Sequence, residues 1–331
     1  MLSSASVEIH PSQFPERVRA ELLESLRSRG INHKFHYDSV KQTMQWLALH
    51  QAYAPSRTDA ECSAMYARSF DDVARRISAS KVHLIGLGCG GGQKDSRLIG
   101  RLQATQREVY YTPLDVSTAM VLVARNAALQ VMPQTHCFPF VCDLALTEDL
   151  SEHLDHSSGG LGMSQGIARL FTFFGMIPNF EPQAILPRLA ELVTPQDYLL
   201  FSANLAPGQD YAAGVHRVLP LYDNALTREW LMTFLLDLGV DRADGEIRFK
   251  VEDTGELKRI TAFFEFTRAR EIRVDQERFV FSTGESIRLF FSYRHTPGLV
   301  RSFLQKHGLE VRAQWIAQSG EEGVFLVERH L

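Results

Sequence analysis

Between Pro11 and about Ser78 the apolar residues recur at intervals of three and four, as Val18, Leu22, Leu23 and Leu26 do, which predicts a helical lead-in. The segment from Ala52 to Asp59 interrupts that pattern: Pro55 disfavours helix at Ala54, and Thr58 is placed to cap the helix that follows. From Lys81 the texture changes. Val82 to Leu87, Val109 to Leu114, Cys137 to Cys142, Leu170 to Phe174 and Tyr198 to Ala203 are short, nearly continuous apolar runs, separated by helical patterns such as Ser117 to Leu129 and Pro182 to Leu192. Strands apolar on both faces and joined by helical crossovers predict an α/β fold with a doubly wound parallel sheet, which takes its ligands at the carboxyl ends of the strands. Gly88, Asp115, Asp143 and Asn179 all fall at such ends.

Beyond Ala206-Pro207-Gly208 the rhythm shifts again, to a helical stretch from Thr227 to Leu238 and strands at Arg259 to Phe266, Arg278 to Phe281 and Ile287 to Tyr293. Thr296-Pro297 can start a final helix, and Gly323 to Glu328 reads as a last strand. Three parts are expected: a helical region at 1–78 that helps cover the site, a Rossmann-like domain at 79–206, and an α+β substrate-binding region at 207–331 inserted on or appended to the sheet.

With 331 residues, 45% of them apolar, the chain has material for one large domain or two ordinary ones. Thirty-five basic residues against 39 acidic ones, dispersed along the chain, leave no electrostatic footprint for nucleic acid or anionic lipid, so a small-molecule partner is favoured. Cys62, Cys89, Cys137 and Cys142 lack CxxC spacing and a zinc pattern, as free thiols of a reducing compartment do. The N-terminus shows no signal-like segment and no run approaches the ~18 apolar residues of a membrane span, so a cytoplasmic protein with no metal and no membrane partner is expected.

The chemistry begins at Val82-His83-Leu84-Ile85-Gly86-Leu87-Gly88-Cys89-Gly90-Gly91-Gly92, a buried strand running into a glycine loop, and continues at Asp115, the carboxylate closing the next strand. Glycines let the backbone approach a nucleoside, and a carboxylate can accept both ribose hydroxyls. By spacing, Gly86, Gly88 and Gly91 also satisfy the dinucleotide motif. Against a dinucleotide, Lys94 follows the loop at the start of the next helix, and no second nucleotide-binding half comes after Ala203. One glycine loop with Asp115 closing the second strand and Asp143 the third fits S-adenosylmethionine better: Gly88 and Gly90 admit the methionine part, Asp115 the ribose, and Asp143 with Leu144 the adenine.

Several segments, in order over nearly the whole chain, together resemble the histidine-specific Nα-methyltransferases of the ergothioneine pathway, whose relatives include dimethylallyltryptophan N-methyltransferases. They are Lys34-Phe35-His36-Tyr37-Asp38, Ala52 to Asp59, Leu87 to Lys94, Tyr111 to Ser117, Phe174-Gly175 with Ile177 to Pro182, Tyr222-Asp223, and Gly284-Glu285 leading to Ser292. The resemblance implies a Rossmann-like S-adenosylmethionine methyltransferase sheet and gives cofactor contacts to Tyr37, Gly88, Lys94 and Asp115. It gives the carboxylate and amino group of an amino acid substrate to Tyr53, Asn179 and Tyr222. Those residue types suit methyl transfer from a sulfonium, an in-line displacement by a neutral amine that needs positioning and a route for one proton rather than a strong base.

Three positions depart from the family's pattern. Phe290 stands where the histidine enzymes carry the glutamate that binds the imidazole, two residues before Ser292. A phenyl ring cannot accept that hydrogen bond, and an unpaired ring N–H would cost about 1–3 kcal/mol. Ala262 stands where a bulky methionine is usual, so the pair implies a roomier, less polar pocket and an amino acid or amine with a larger apolar or aromatic side chain. Phe290 as an ordinary core residue of its strand is the other reading. Gly86 replaces the usual acid at the end of the first strand. Methylation of an α-amino group is the expected activity; transfer to oxygen or sulfur of another metabolite, or a silent binding protein of the same fold, are the alternatives.

Overall fold

The computed structural model describes residues 5–157 and 166–329. A two-residue strand, β1 (Glu8–Ile9), precedes four helices: α1 (Pro15–Arg27), α2 (Val40–Tyr53), the single turn α3 (Pro55–Thr58) and α4 (Ala60–Arg76). Strands and helices then alternate through β2 (Lys81–Leu87), α5 (Gln93–Ala104), β3 (Glu108–Asp115), α6 (Thr118–Ala128), β4 (Phe140–Val141), α7 (Leu150–Ser157), β5 (Ile167–Phe174), α8 (Pro182–Leu192) and β6 (Tyr198–Asn204). Two helices, α9 (Tyr211–Val218) and α10 (Ala225–Asp237), lead to five strands: β7 (Gly245–Asp253), β8 (Lys258–Phe266), β9 (Arg270–Val274), β10 (Glu277–Phe281) and β11 (Ser286–Arg294). The chain ends with α11 (Pro297–Gln305), β12 (Leu309–Ile316) and β13 (Glu322–Arg329).

The large sheet has the order β1-β4-β3-β2-β5-β6-β13-β12. β1 to β6 run parallel, whereas β13 lies antiparallel to β6 and β12 antiparallel to β13. β2 is central, and from it the chain winds first toward β3 and β4, then resumes on the other side at β5. That reversal opens a crevice beyond the carboxyl end of β2, the place where an α/β sheet takes its ligand. The fold is the Rossmann-like α/β sheet that the apolar runs predicted.

Some boundaries differ, each for a physical reason. The span 207–331 divides in two: β7, β8 and β11 form a separate antiparallel sheet beside the β9–β10 hairpin, while β12 and β13 return to the large sheet. Val324 to Val327 are buried on both faces against β6, a pairing across more than a hundred residues that no local pattern encodes. The run Cys137 to Cys142 narrows to β4, because Pro139 offers no N–H to the ladder and Cys137 makes only an isolated bridge to Tyr111. Asp59, not Thr58, caps α4, its carboxylate accepting from the Glu61 N–H at 2.8 Å.

The N-terminal helices pack in two directions. α4 buries Tyr66, Phe70 and Val73 against one face of the sheet. Leu23, Leu26, Ile31 and Phe35 instead join Trp230, Phe234, Phe264 and Phe290 in the core of the inserted unit. Each such large side chain contributes about 1.5–3 kcal/mol on burial, so this first segment and the insertion form one packed body over the crevice. His36 ties them further: its Nε2 meets the Leu289 carbonyl at 2.7 Å and its own carbonyl accepts from Trp230 Nε1 at 2.8 Å. No helix among the described residues is long and apolar enough to cross a membrane.

Ser117 caps α6, its hydroxyl accepting from the Met120 N–H, while its own N–H donates to Asp115. Ser117→Ala should lower the unfolding free energy by about 1 kcal/mol, read from the urea midpoint; an unchanged midpoint would show that the cap carries no stability.

Candidate active site

β2 ends at Leu87 and turns through the glycine loop into α5. Gly88 has φ +66°, and a Cβ there would lie 2.5 Å from the Met176 side chain, so both backbone conformation and space require glycine. The loop is pinned to β3 by two donations, Cys89 N–H to the Leu114 carbonyl at 2.8 Å and Gly90 N–H to Asp115 Oδ2 at 3.1 Å. Asp115 Oδ1 accepts from the Ser117 N–H at 3.1 Å. Burial pushes this carboxyl up to about 6 despite the backbone donors that favour its ionised form.

A cavity of about 580 Å³ extends from the loop, within the roughly 300–1,000 Å³ typical of small-molecule sites. Tyr37, Tyr53, Gly88, Gly90, Lys94, Asp115, Asp143, Leu144, Asn179, Tyr222, Phe290 and Ser292 all line it. Of the residues expected at the site, Ala262 alone is not on the cavity wall. It is fully buried in β8, in register between Phe290 of β11 and Phe249 of β7. The pocket's size is therefore not set by Ala262 directly.

The wall carries distinct poles. Asp143 Oδ1 accepts from the Ala145 N–H, and Oδ2 lies 3.4 Å from Lys34 Nζ, which also pairs with Glu21 at 2.7 Å. Lys94 Nζ donates to Tyr66 Oη at 2.8 Å and to Glu322 Oε1 at 3.3 Å; the Tyr66 hydroxyl also donates to Glu322. Burial works to raise the Glu322 carboxyl, but Lys94 and the Tyr66 hydroxyl outweigh it and hold it below the ordinary carboxylate range. Glu322 comes from the last strand, where only the return of β13 to the sheet could reveal it.

Another part of the wall is cationic. Arg294, 6% exposed, donates through Nη2 to Tyr222 Oη at 2.8 Å and through Nη1 to the Leu205 carbonyl at 3.1 Å. Tyr222 Oη lies 2.9 Å from Ser292 Oγ. No carboxylate of the described residues lies within 4.0 Å of this guanidinium. Arg294 was missed from sequence, although its place two residues after Ser292 on one strand face was a usable signal. An aromatic wall adjoins Tyr222: Phe290 packs with His33, Trp230 and Tyr222 at centroid distances of 5.0, 5.9 and 6.1 Å. His33 Nε2 accepts from the Phe291 N–H, and burial holds the ring well below its ordinary range, so it is neutral. The Asn179 amide and the Tyr53 hydroxyl make no hydrogen bond to other described residues, leaving both available to a ligand.

A second titratable cluster, His10, Asp149 and His153, is not on the cavity wall. His10 Nδ1 accepts from the Ser12 N–H, which leaves the proton on Nε2, directed at Asp149 at 3.1 Å. Such a tautomer tethers β1 to α7 and leaves His10 no lone pair for a metal.

The family profile described as "Histidine-specific methyltransferase, SAM-dependent" matches residues 17–329. Among curated proteins the chain is similar to the N-methyltransferase imqF of Aspergillus flavus, with 24% identity over 279 residues that span 82% of this chain and 73% of that protein. Among solved structures it is similar to the CcbJ methyltransferase from Streptomyces caelestis, at 13% identity and a TM-score of 0.40, covering 81% of this chain and 89% of that one. It is also similar to magnesium protoporphyrin IX methyltransferase (ChlM) from Synechocystis PCC 6803 with bound SAH, at 12% identity and a TM-score of 0.45, covering 88% and 95%.

Asp115 and Asp95, the latter also buried on the cavity wall, are both pushed up to about 6 by burial. A ligand that uses the ionised carboxylates loses them on acidification, so the thermal stabilisation given by S-adenosylhomocysteine should shrink as pH falls through about 6. Unliganded stability should move the other way. With folded values above the unfolded ones, these acids' contribution is full below the ordinary carboxylate range and lost as pH rises through about 6. Thermal melts with and without the ligand between about pH 5 and pH 8 test both signs; a pH-independent ligand shift would contradict them.

Proposed function

The chain belongs to the histidine-specific, S-adenosylmethionine-dependent methyltransferase family, and we propose that it methylates the α-amino group of an amino acid other than histidine, one with a larger apolar or aromatic side chain. The observation that carries this reading is the make-up of the cavity wall around Phe290 and Arg294. Phe290, His33 and Trp230 offer a neutral aromatic surface, and Arg294 with Tyr222 offers a buried cationic pole. An uncompensated buried guanidinium is costly, and a substrate carboxylate would supply its counter-charge. Similarity to an N-methyltransferase supports nitrogen as the acceptor atom.

The residues present fit S-adenosylmethionine. Asp115 is a buried carboxylate held by backbone donors alone, which leaves acceptor capacity for two ribose hydroxyls. Tyr37, Gly88, Gly90 and Lys94 would border its methionine and ribose portions, and Asp143 with Leu144 its adenine. When bound, that cofactor supplies a methyl group made electrophilic by sulfonium sulfur.

This chain's task is then positional. Tyr53, Asn179 and Tyr222 would hold the acceptor's amino and carboxylate groups so that the nitrogen lone pair faces the methyl carbon, an arrangement worth several orders of magnitude in rate. The amine must be neutral to react. His33 is bonded to backbone, and the hydroxyl and amide groups around the site are weak bases, so the proton leaves through solvent before or after transfer. Substrates with apolar bulk gain burial against Phe290, whereas histidine would leave a ring N–H without an acceptor there.

Incubation with S-adenosylmethionine and pooled amino acids, read by mass spectrometry, should give a product one methylene heavier than an aromatic or large aliphatic amino acid. Methylated histidine as the sole product would overturn the assignment. Asn179→Ala should lower turnover at least about a hundredfold while cofactor affinity by calorimetry stays unchanged, whereas Asp115→Ala should weaken the cofactor itself. Equal loss of cofactor in both variants would contradict this division of roles.

A further inference from the structure

Four buried acids line the cavity: Asp95, Asp115, Asp143 and Glu322. Lys34 neutralises Asp143 and Lys94 neutralises Glu322. Asp115 sits at the end of β3, bonded to backbone N–H groups of its own turn and of the loop. Asp95, like Asp115, makes no ion pair within 4.0 Å among the described residues, and it lacks even backbone donors. It stands in the first turn of α5, 2% exposed, and its two oxygens accept only from neutral hydroxyls, Thr172 Oγ1 at 2.8 Å and Tyr111 Oη at 2.7 Å. The nearest lysine in sequence, Lys94, is turned to Tyr66 and Glu322. Burying an ionised carboxylate without a cation costs several kcal/mol, a cost that a cationic ligand group would offset.

The carboxylate's location says which ligand group that is. Gly86, at the end of β2, has no side chain, and a Cβ built there would fall inside van der Waals contact of Asp95 Oδ2, 3.3 Å from Asp95 Cγ and 3.2 Å from Tyr111 Oη. Asp95 thus fills the space that a side chain at position 86 would take, directly beneath the glycine loop at the carboxyl end of the central strand. With the ribose at Asp115 on the neighbouring strand end, the space beyond β2 is left for the amino-acid portion of the nucleoside. We infer that Asp95 binds the ammonium group of the amino-acid portion of S-adenosylmethionine, a charge delivered from α5 to a strand end that carries glycine. This inference rests on the cofactor reading of the cavity.

The test compares two ligands by calorimetry on the full chain. S-Adenosylhomocysteine carries the amino-acid portion; 5′-methylthioadenosine keeps the adenosine and thioether but lacks it. Asp95→Asn should weaken S-adenosylhomocysteine by about tenfold or more, as loss of a charge-assisted hydrogen bond requires, and leave 5′-methylthioadenosine within about twofold. The exchange Gly86→Asp with Asp95→Ser should restore part of the lost affinity. On the unaltered protein, the deaminated analogue of S-adenosylhomocysteine should bind as weakly as the natural ligand binds to Asp95→Asn, a measurement that needs no variant to fold. Equal loss for both ligands would make Asp95 a shaper of the loop, and no loss for S-adenosylhomocysteine would remove it from the site. Either result overturns the inference while leaving the cofactor reading intact; failure of the unaltered protein to bind any of these nucleosides overturns both.

Discussion

The central position of β2 governs the molecule. Hydrogen-bonded on both sides in parallel register, with β3 and β5 as neighbours, it is buried from Val82 to Leu87 and delivers the glycine loop where the winding of the sheet reverses. Neighbouring strand ends then fall beside one another. Asp115 at the end of β3, Asp143 after β4 and Asn179 after β5 converge on the same cavity because these strands run parallel and end at the same edge of the sheet. The site is a consequence of strand order before it is a consequence of any side chain.

Burial sharpens the electrostatics of that crevice. In a low-dielectric wall each charge must be paired, hydrogen-bonded or left for a ligand. Lys34 with Asp143 and Lys94 with Glu322 are paired within the protein. Asp95, Asp115 and Arg294 are not, and all three line the cavity.

The inserted unit supplies the other half of the wall, and it does so only with help from the first residues of the chain. Ile31, Phe35 and His36 pack onto Trp230, Phe234 and Phe290, so the cover over the crevice is woven from segments far apart in the chain, His36 and Trp230 being 194 residues apart. Phe290 belongs at once to that core and to the cavity wall. The two readings of it from sequence, core strand residue and pocket residue, are both true of the folded chain.

Much of the sheet was legible in the sequence because its strands are apolar on both faces and its helices are periodic, and those signals are local. The glycine loop, Asp115, Asp143 and Asn179 were legible too, since a ligand site at strand ends can be counted from the strands. β7, β9 and β12 were not legible because each has a single buried residue, which leaves no apolar run to read. The return of β13 to β6, and with it Glu322, depended on a pairing between distant segments. Ala262, placed at the pocket by sequence, is buried between Phe249 and Phe290 and off the cavity wall, a position that cross-strand register sets. Sequence determined the kind of sheet and the strand ends where a nucleoside belongs. Tertiary structure alone decided which buried charges meet a partner and which, like Asp95 beside Gly86 and Arg294 beside Tyr222, line the cavity without one, because charge pairing depends on distances that only folding sets.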